Sequence, residues 1–280
     1  MATKTHLHIG ATAMVEVSGG WIWGVACLAL GLGTGPATAH TSFLSPSVFS
    51  TGEAEVITLQ AAFAEDYFFR PEIAVTSEDF HLYRPDGRRD SYARIETFKQ
   101  TTVLESDLTE PGTYRFTTGL RLGRIGTQVL KDGAWTPLAP GASPPPGAEV
   151  KTSQTATVAD VYVTKGAPTG AVLKTEVGPL ALRLGAHPSA IFADDPLTLE
   201  VLFDGAPLVG NEIEVDREGG DYEEPRFKQR LSTDAQGRVT LRFDHPGVYL
   251  IMTRHRAPAP AGSATDLRSY TTSLTFEVTP

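Results

Sequence analysis

The chain has 280 residues, with 24 Lys and Arg against 33 Asp and Glu, a formal net charge of −9. That balance disfavours nucleic acid as a partner, because holding a phosphate backbone takes clustered Lys and Arg. The single cysteine, Cys27, sits in an N-terminal apolar segment, so the rest of the chain has neither a disulfide framework nor a thiolate metal site.

Residues 21–32 form an uncharged apolar run of about 12 residues, short of the roughly 20 that span a bilayer. Gly35-Pro36 follows, and Ala37-Thr38-Ala39 supplies the small-x-small pattern that a signal peptidase accepts. Residues 1–39 are therefore expected to be a cleavable signal peptide, with translation starting at Met1 or Met14 and the working chain beginning at His40. Export without cysteine suits a bacterial periplasm. No later segment is apolar enough to span a membrane, so none is expected in the mature chain.

Beyond His40 the sequence lacks long helical periodicity and is rich in short alternating runs closed by Gly, Pro, Asp and Asn. Strands are predicted over 56–63, 80–83, 113–118 and 157–163, then over 197–203, 212–215, 238–243, 248–252 and 272–278. Residues 131–150 contain Trp135 and the run from Gly141 to Gly147 with Pro144, Pro145 and Pro146. They show no periodicity and are read as an extended, Pro-rich surface loop.

Three echoes recur in the same order in both halves. Gly52 to Phe63 resembles Asp194 to Phe203, and the turn Arg84-Pro85-Asp86-Gly87-Arg88 parallels Thr233 to Arg238. Glu110-Pro111-Gly112-Thr113-Tyr114 returns as His245-Pro246-Gly247-Val248-Tyr249. In a β-sandwich such a turn starts a late strand, with the Tyr ring in the core and its hydroxyl bonded to the backbone at the corner. The expected fold is all-β: two tandem immunoglobulin-like β-sandwich domains, 40–177 and 178–280, with the boundary near Thr175 to Pro179.

Catalytic motifs are missing. There is no Gly-x-Ser-x-Gly elbow, no phosphate-cradling glycine loop and no His-Glu-x-x-His. Acidic pairs such as Asp194-Asp195 and Glu223-Glu224 read as solvated turns in a chain with 33 carboxylates. Histidine remains. His187 and His245 each precede a proline and read as loop residues. His81 alternates with Phe80 and Leu82, so if those two are in the core His81 lies on the open face. His255, between Arg254 and Arg256, ends a strand.

His40 differs for a covalent reason. Cleavage after Ala39 would give it a free α-amine of pKa about 8 beside an imidazole. Amine and ring Nδ1 then close a six-membered chelate of the kind that suits Cu(II) and Ni(II). One chelating residue needs helpers, and His81, His255, Glu65 and Asp66 are the candidates.

Five segments in order resemble one family: Ala39-His40-Thr41-Ser42-Phe43-Leu44-Ser45-Pro46, Phe63 to Phe68, Asp79-Phe80-His81, Glu110 to Gly119 and Ser273 to Val278. The chain resembles an exported bacterial family of unknown function that is described as a substrate-specific component of nickel uptake. The resemblance implies a periplasmic β-sandwich tied to transition-metal handling, often beside TonB-dependent receptors. The leading expectation is a non-enzymatic periplasmic protein that binds nickel, cobalt or copper and passes it to a receptor or metal transporter. The alternatives are a metal-free interaction module partnering an outer-membrane receptor and, behind both, a copper oxygenase or polysaccharide hydrolase.

Overall fold

The computed structural model describes residues 40–64, 69–139 and 141–280. The signal-peptide expectation for residues 1–39 falls outside these, as do Glu65 and Asp66. Among the described residues the chain is built almost wholly of strands, numbered β1 to β20 along the sequence, with two short 3-10 turns at Ala171–Lys174 and Gly220–Tyr222. No helix among them is long and apolar enough to cross a membrane.

The described residues form three sheets. One outer sheet runs β1 (Thr41–Pro46), β3 (Val56–Ala64), β8 (Thr102–Asp107), β7 (Arg94–Thr97), with β4 (Ile73–Ala74) also on β3. The other outer sheet runs β13 (Leu180–Leu184), β14 (Leu197–Phe203), β15 (Ala206–Pro207), with β18 (Arg238–Leu241) also on β14. Between them lies an 11-stranded sheet. Its path is β17 (Gln229–Ser232), β16 (Glu212–Arg217), β19 (Gly247–Pro258), β20 (Leu267–Val278), β12 (Val150–Lys165), β9 (Gly112–Thr117), β5 (His81–Tyr83) and β6 (Arg89–Asp90). Strands β10 (Arg121–Lys131) and β2 (Ser50–Thr51) join β12, and β11 (Ala134–Pro137) joins β10.

Side-chain alternation assigns the two faces of this central sheet. Leu82, Tyr114, Phe116, Ala159, Val161 and Val163 pack against Leu44, Ile57, Leu59 and Leu104 of the first outer sheet. On the other face Tyr249, Ile251, Tyr270, Leu274 and Phe276 pack against Leu182, Leu199, Val201 and Leu241 of the second. Two hydrophobic clusters thus lie on opposite faces of one continuous sheet. β12 and β20 pair in parallel from Ser153↔Leu267 to Val161↔Thr275, which makes that sheet continuous. β1 also lies over β20, where the Ser273 hydroxyl donates to the Ser42 carbonyl at 2.5 Å.

Both repeated corners occupy equivalent places. The Tyr114 hydroxyl donates to the Glu110 carbonyl at 2.8 Å, and that of Tyr249 to the His245 carbonyl at 2.8 Å. Both rings are fully buried, the corner arrangement of immunoglobulin-like sandwiches. The preceding glycines have φ of +129° at Gly112 and +148° at Gly247, a backbone that side-chain-bearing residues rarely adopt. At Gly112 a Cβ would also lie 2.5 Å from Pro85 Cβ.

The expectation of one unbroken loop over 131–150 needs correction. Asp132 and Gly133 both take positive φ, +51° and +78°, and close a two-residue turn that pairs β10 with β11 through Leu130↔Trp135. Lys151 caps the hairpin with its ammonium 4.3 Å from the centre of the Trp135 ring. The stretch from Gly141 to Gly147 remains outside any strand and exposed.

Candidate functional site

His40 stands at the head of β1. Thr41 pairs with Ala64 at the end of β3, and on the other edge of β3 the Glu72 N–H donates to the Phe63 carbonyl at 2.9 Å. The end of one strand thus sets the frame of both residues. Their side chains meet, with His40 Nε2 3.5 Å from Glu72 Oε2 and both a little over a third exposed.

His81 is not on an open face. It is 4% exposed: the face of β5 opposite Leu82 also carries Tyr83, which packs against the core built on Leu182, Leu199 and Val201. Alternation finds the face but cannot tell solvent from a further layer. Its Nδ1–H donates to the Asp79 carbonyl at 2.6 Å, and its ring meets Tyr83 edge-on at 5.2 Å. Burial lowers its pKa below the ordinary 6.5; Arg89 adds to this, against the Asp79 carbonyl bond.

His255 lies in β19 opposite Tyr270, with its ring 4.6 Å from that of Phe203. Burial lowers its pKa too, partly offset by Asp204. His81 and His255 share the face of the central sheet that looks to the second outer sheet. Four strand steps separate them, about 19 Å. His40 belongs to the outer sheet on the opposite side. The three histidines are therefore not brought together, and among the described residues no three His, Cys, Asp or Glu side chains form a metal-holding group. His187 is a structural residue: its Nε2 lies 3.1 Å from the Thr113 hydroxyl and 3.2 Å from the Thr169 carbonyl.

Sequence reasoning missed the most strongly charged interior feature. Arg115 in β9 and Asp160 in β12 are 6% and 3% exposed and form a direct ion pair. A second N–H of Arg115 donates to the Thr175 carbonyl, and the guanidinium lies 5.6 Å above the Tyr162 ring. Burial opposes the charge of Arg115, but Asp160 more than offsets it and drives the pKa upward. Register places His81 beside Thr117 and Arg115 beside Tyr162 on this same face. Among the described residues, His81 Nε2, Arg115 Nε and Asp160 Oδ1 have no hydrogen-bond partner. A guanidinium here opposes a metal cation, so the cluster reads as a clasp. It ties the connecting segment around Thr175 to the first sandwich.

A family model described as a domain of unknown function (DUF4198) matches residues 37–257. The chain belongs to that family. No curated protein matches it. Among solved structures, the D0–D1 domain of intimin is 12% identical, with 86% of this chain and 100% of that one covered and a TM-score of 0.23. Trypsin-activated alpha-2-macroglobulin from Escherichia coli is 10% identical, with 85% of this chain and 16% of that one covered and a TM-score of 0.23.

Proposed function

We propose that this chain is a non-enzymatic periplasmic protein that binds a divalent transition metal, nickel, cobalt or copper, at an N-terminus created by cleavage before His40. In this role it delivers the ion to a receptor or transporter in metal uptake. The observation that carries the reading is the place of His40 at the head of β1, about a third exposed, with a carboxylate at its Nε2. Cleavage there would put an amine and an imidazole on one residue that the sheet already holds in place, and such nitrogen donors suit Ni(II) and Cu(II). Glu65 and Asp66 stand as candidate helpers on the sequence alone.

The test is a titration with Ni(II) and Cu(II) of chain beginning at His40, against chain carrying one extra residue before it. The reading expects tight 1:1 binding that the extra residue weakens at least tenfold. Equal affinity of the two forms would remove the N-terminal chelate. A second reading, a metal-free interaction module on an outer-membrane receptor, draws on the exposed Pro-rich stretch 141–147 beside the β10–β11 hairpin. Receptor capture that needs this stretch and ignores His40 would favour it.

A further inference from the structure

We infer that Glu72 is a positioning residue for the metal site, one that orients the His40 ring without binding the ion. The inference rests on the N-terminal chelate proposed above. Covalent geometry requires that chelate to use Nδ1, since only Nδ1 closes a six-membered ring with the amine of the same residue. The carboxylate of Glu72 lies at the other nitrogen, 3.5 Å from Nε2. A carboxylate there favours the tautomer with hydrogen on Nε2, which leaves the Nδ1 lone pair as the donor. It also fixes the orientation of the ring, as carboxylates behind metal-bound histidines do.

The pairing follows from the sheet. Thr41 is locked to Ala64 and the Glu72 backbone to Phe63, so β3 holds both side chains at its end from its two edges. Both side chains are partly exposed.

Two substitutions, Glu72→Ala and Glu72→Gln, test it in chain beginning at His40. The first readout is affinity for Ni(II) and Cu(II). The second is the His40 ring tautomer in metal-free protein, read from its ¹⁵N shifts. Glu72→Ala is expected to weaken binding about 10- to 100-fold and to shift the ring away from the Nε2–H tautomer. Glu72→Gln is expected to recover part of both effects, because its amide oxygen can take the place of the carboxylate oxygen beside Nε2. Unchanged affinity in Glu72→Ala overturns the inference. So does weakened affinity with an unchanged tautomer, or a Gln variant as weak as the Ala variant. If the unsubstituted chain binds no better than the form with an extra N-terminal residue, the chelate itself falls and the inference with it. If it binds tightly and Glu72→Ala matches it, only the role of Glu72 falls.

Discussion

Substituting Asp160 with Leu would leave the Arg115 guanidinium 6% exposed without a counter-charge. The ion pair, the Thr175 carbonyl and the Tyr162 ring are what Arg115 has in exchange for water. Removing one partner of a buried pair costs about 3–5 kcal/mol, because the remaining charge is stranded. Arg115→Met strands the Asp160 carboxylate in the same way and unpairs the Thr175 carbonyl. Replacing both partners removes both desolvation costs. The double variant Arg115→Met/Asp160→Leu is therefore expected within about 1 kcal/mol of the parent, or above it. Urea unfolding reads this directly. At a slope of about 3 kcal/mol per molar, each single variant lowers the midpoint by roughly 1–1.7 M, while the double variant restores it. The reasoning is refuted if Asp160→Leu costs less than about 1 kcal/mol, or if the double variant loses the sum of the singles.

Two other outcomes follow from the same packing. His81 has a folded pKa below its ordinary 6.5, so the folded state binds this proton less readily than the unfolded chain does. Its contribution is full above pH 6.5 and is lost as pH falls through the folded value, with His255 acting in the same direction. His81→Asn keeps a donor for the Asp79 carbonyl but cannot titrate, so its stability should fall less steeply below pH 6.5; equal slopes would contradict this. Gly112→Ala and Gly247→Ala both meet an unfavourable φ, but only at Gly112 does the new Cβ strike Pro85, at 2.5 Å. Gly112→Ala should be the more destabilising by about 1–3 kcal/mol in denaturant melts, and a larger loss at Gly247 would count against the packing described.

Much of the fold is legible in the sequence, because alternation and turn chemistry are local. The predicted strand 197–203 coincides with β14, and the three echoes map onto equivalent turns and corners. The Asp234 N–H donates to the Arg238 carbonyl at 2.8 Å, and the Arg84 N–H to the Arg88 carbonyl at 2.9 Å. The Asp132-Gly133 turn carried a hairpin signal that the Pro-rich composition around it obscured. Layer number was not legible. Arg115, between Tyr114 and Phe116, has the pattern of a solvent-facing position whether water or a second sandwich lies beyond it. The same blindness put His81 on an open face. Convergence in space is also not local: nothing in the spacing of His40 and Glu72 indicates that β3 brings them together.

Native mass spectrometry of the protein recovered after expression of the full chain in a bacterial host, with Ni(II) or Cu(II) added, tests the central claim most directly. One spectrum reports both the first residue and the bound metal. A chain that begins at His40 and carries one ion, which is lost when a residue is added in front, is the predicted result. A chain that begins elsewhere, or one that begins at His40 and stays metal-free, would contradict the account.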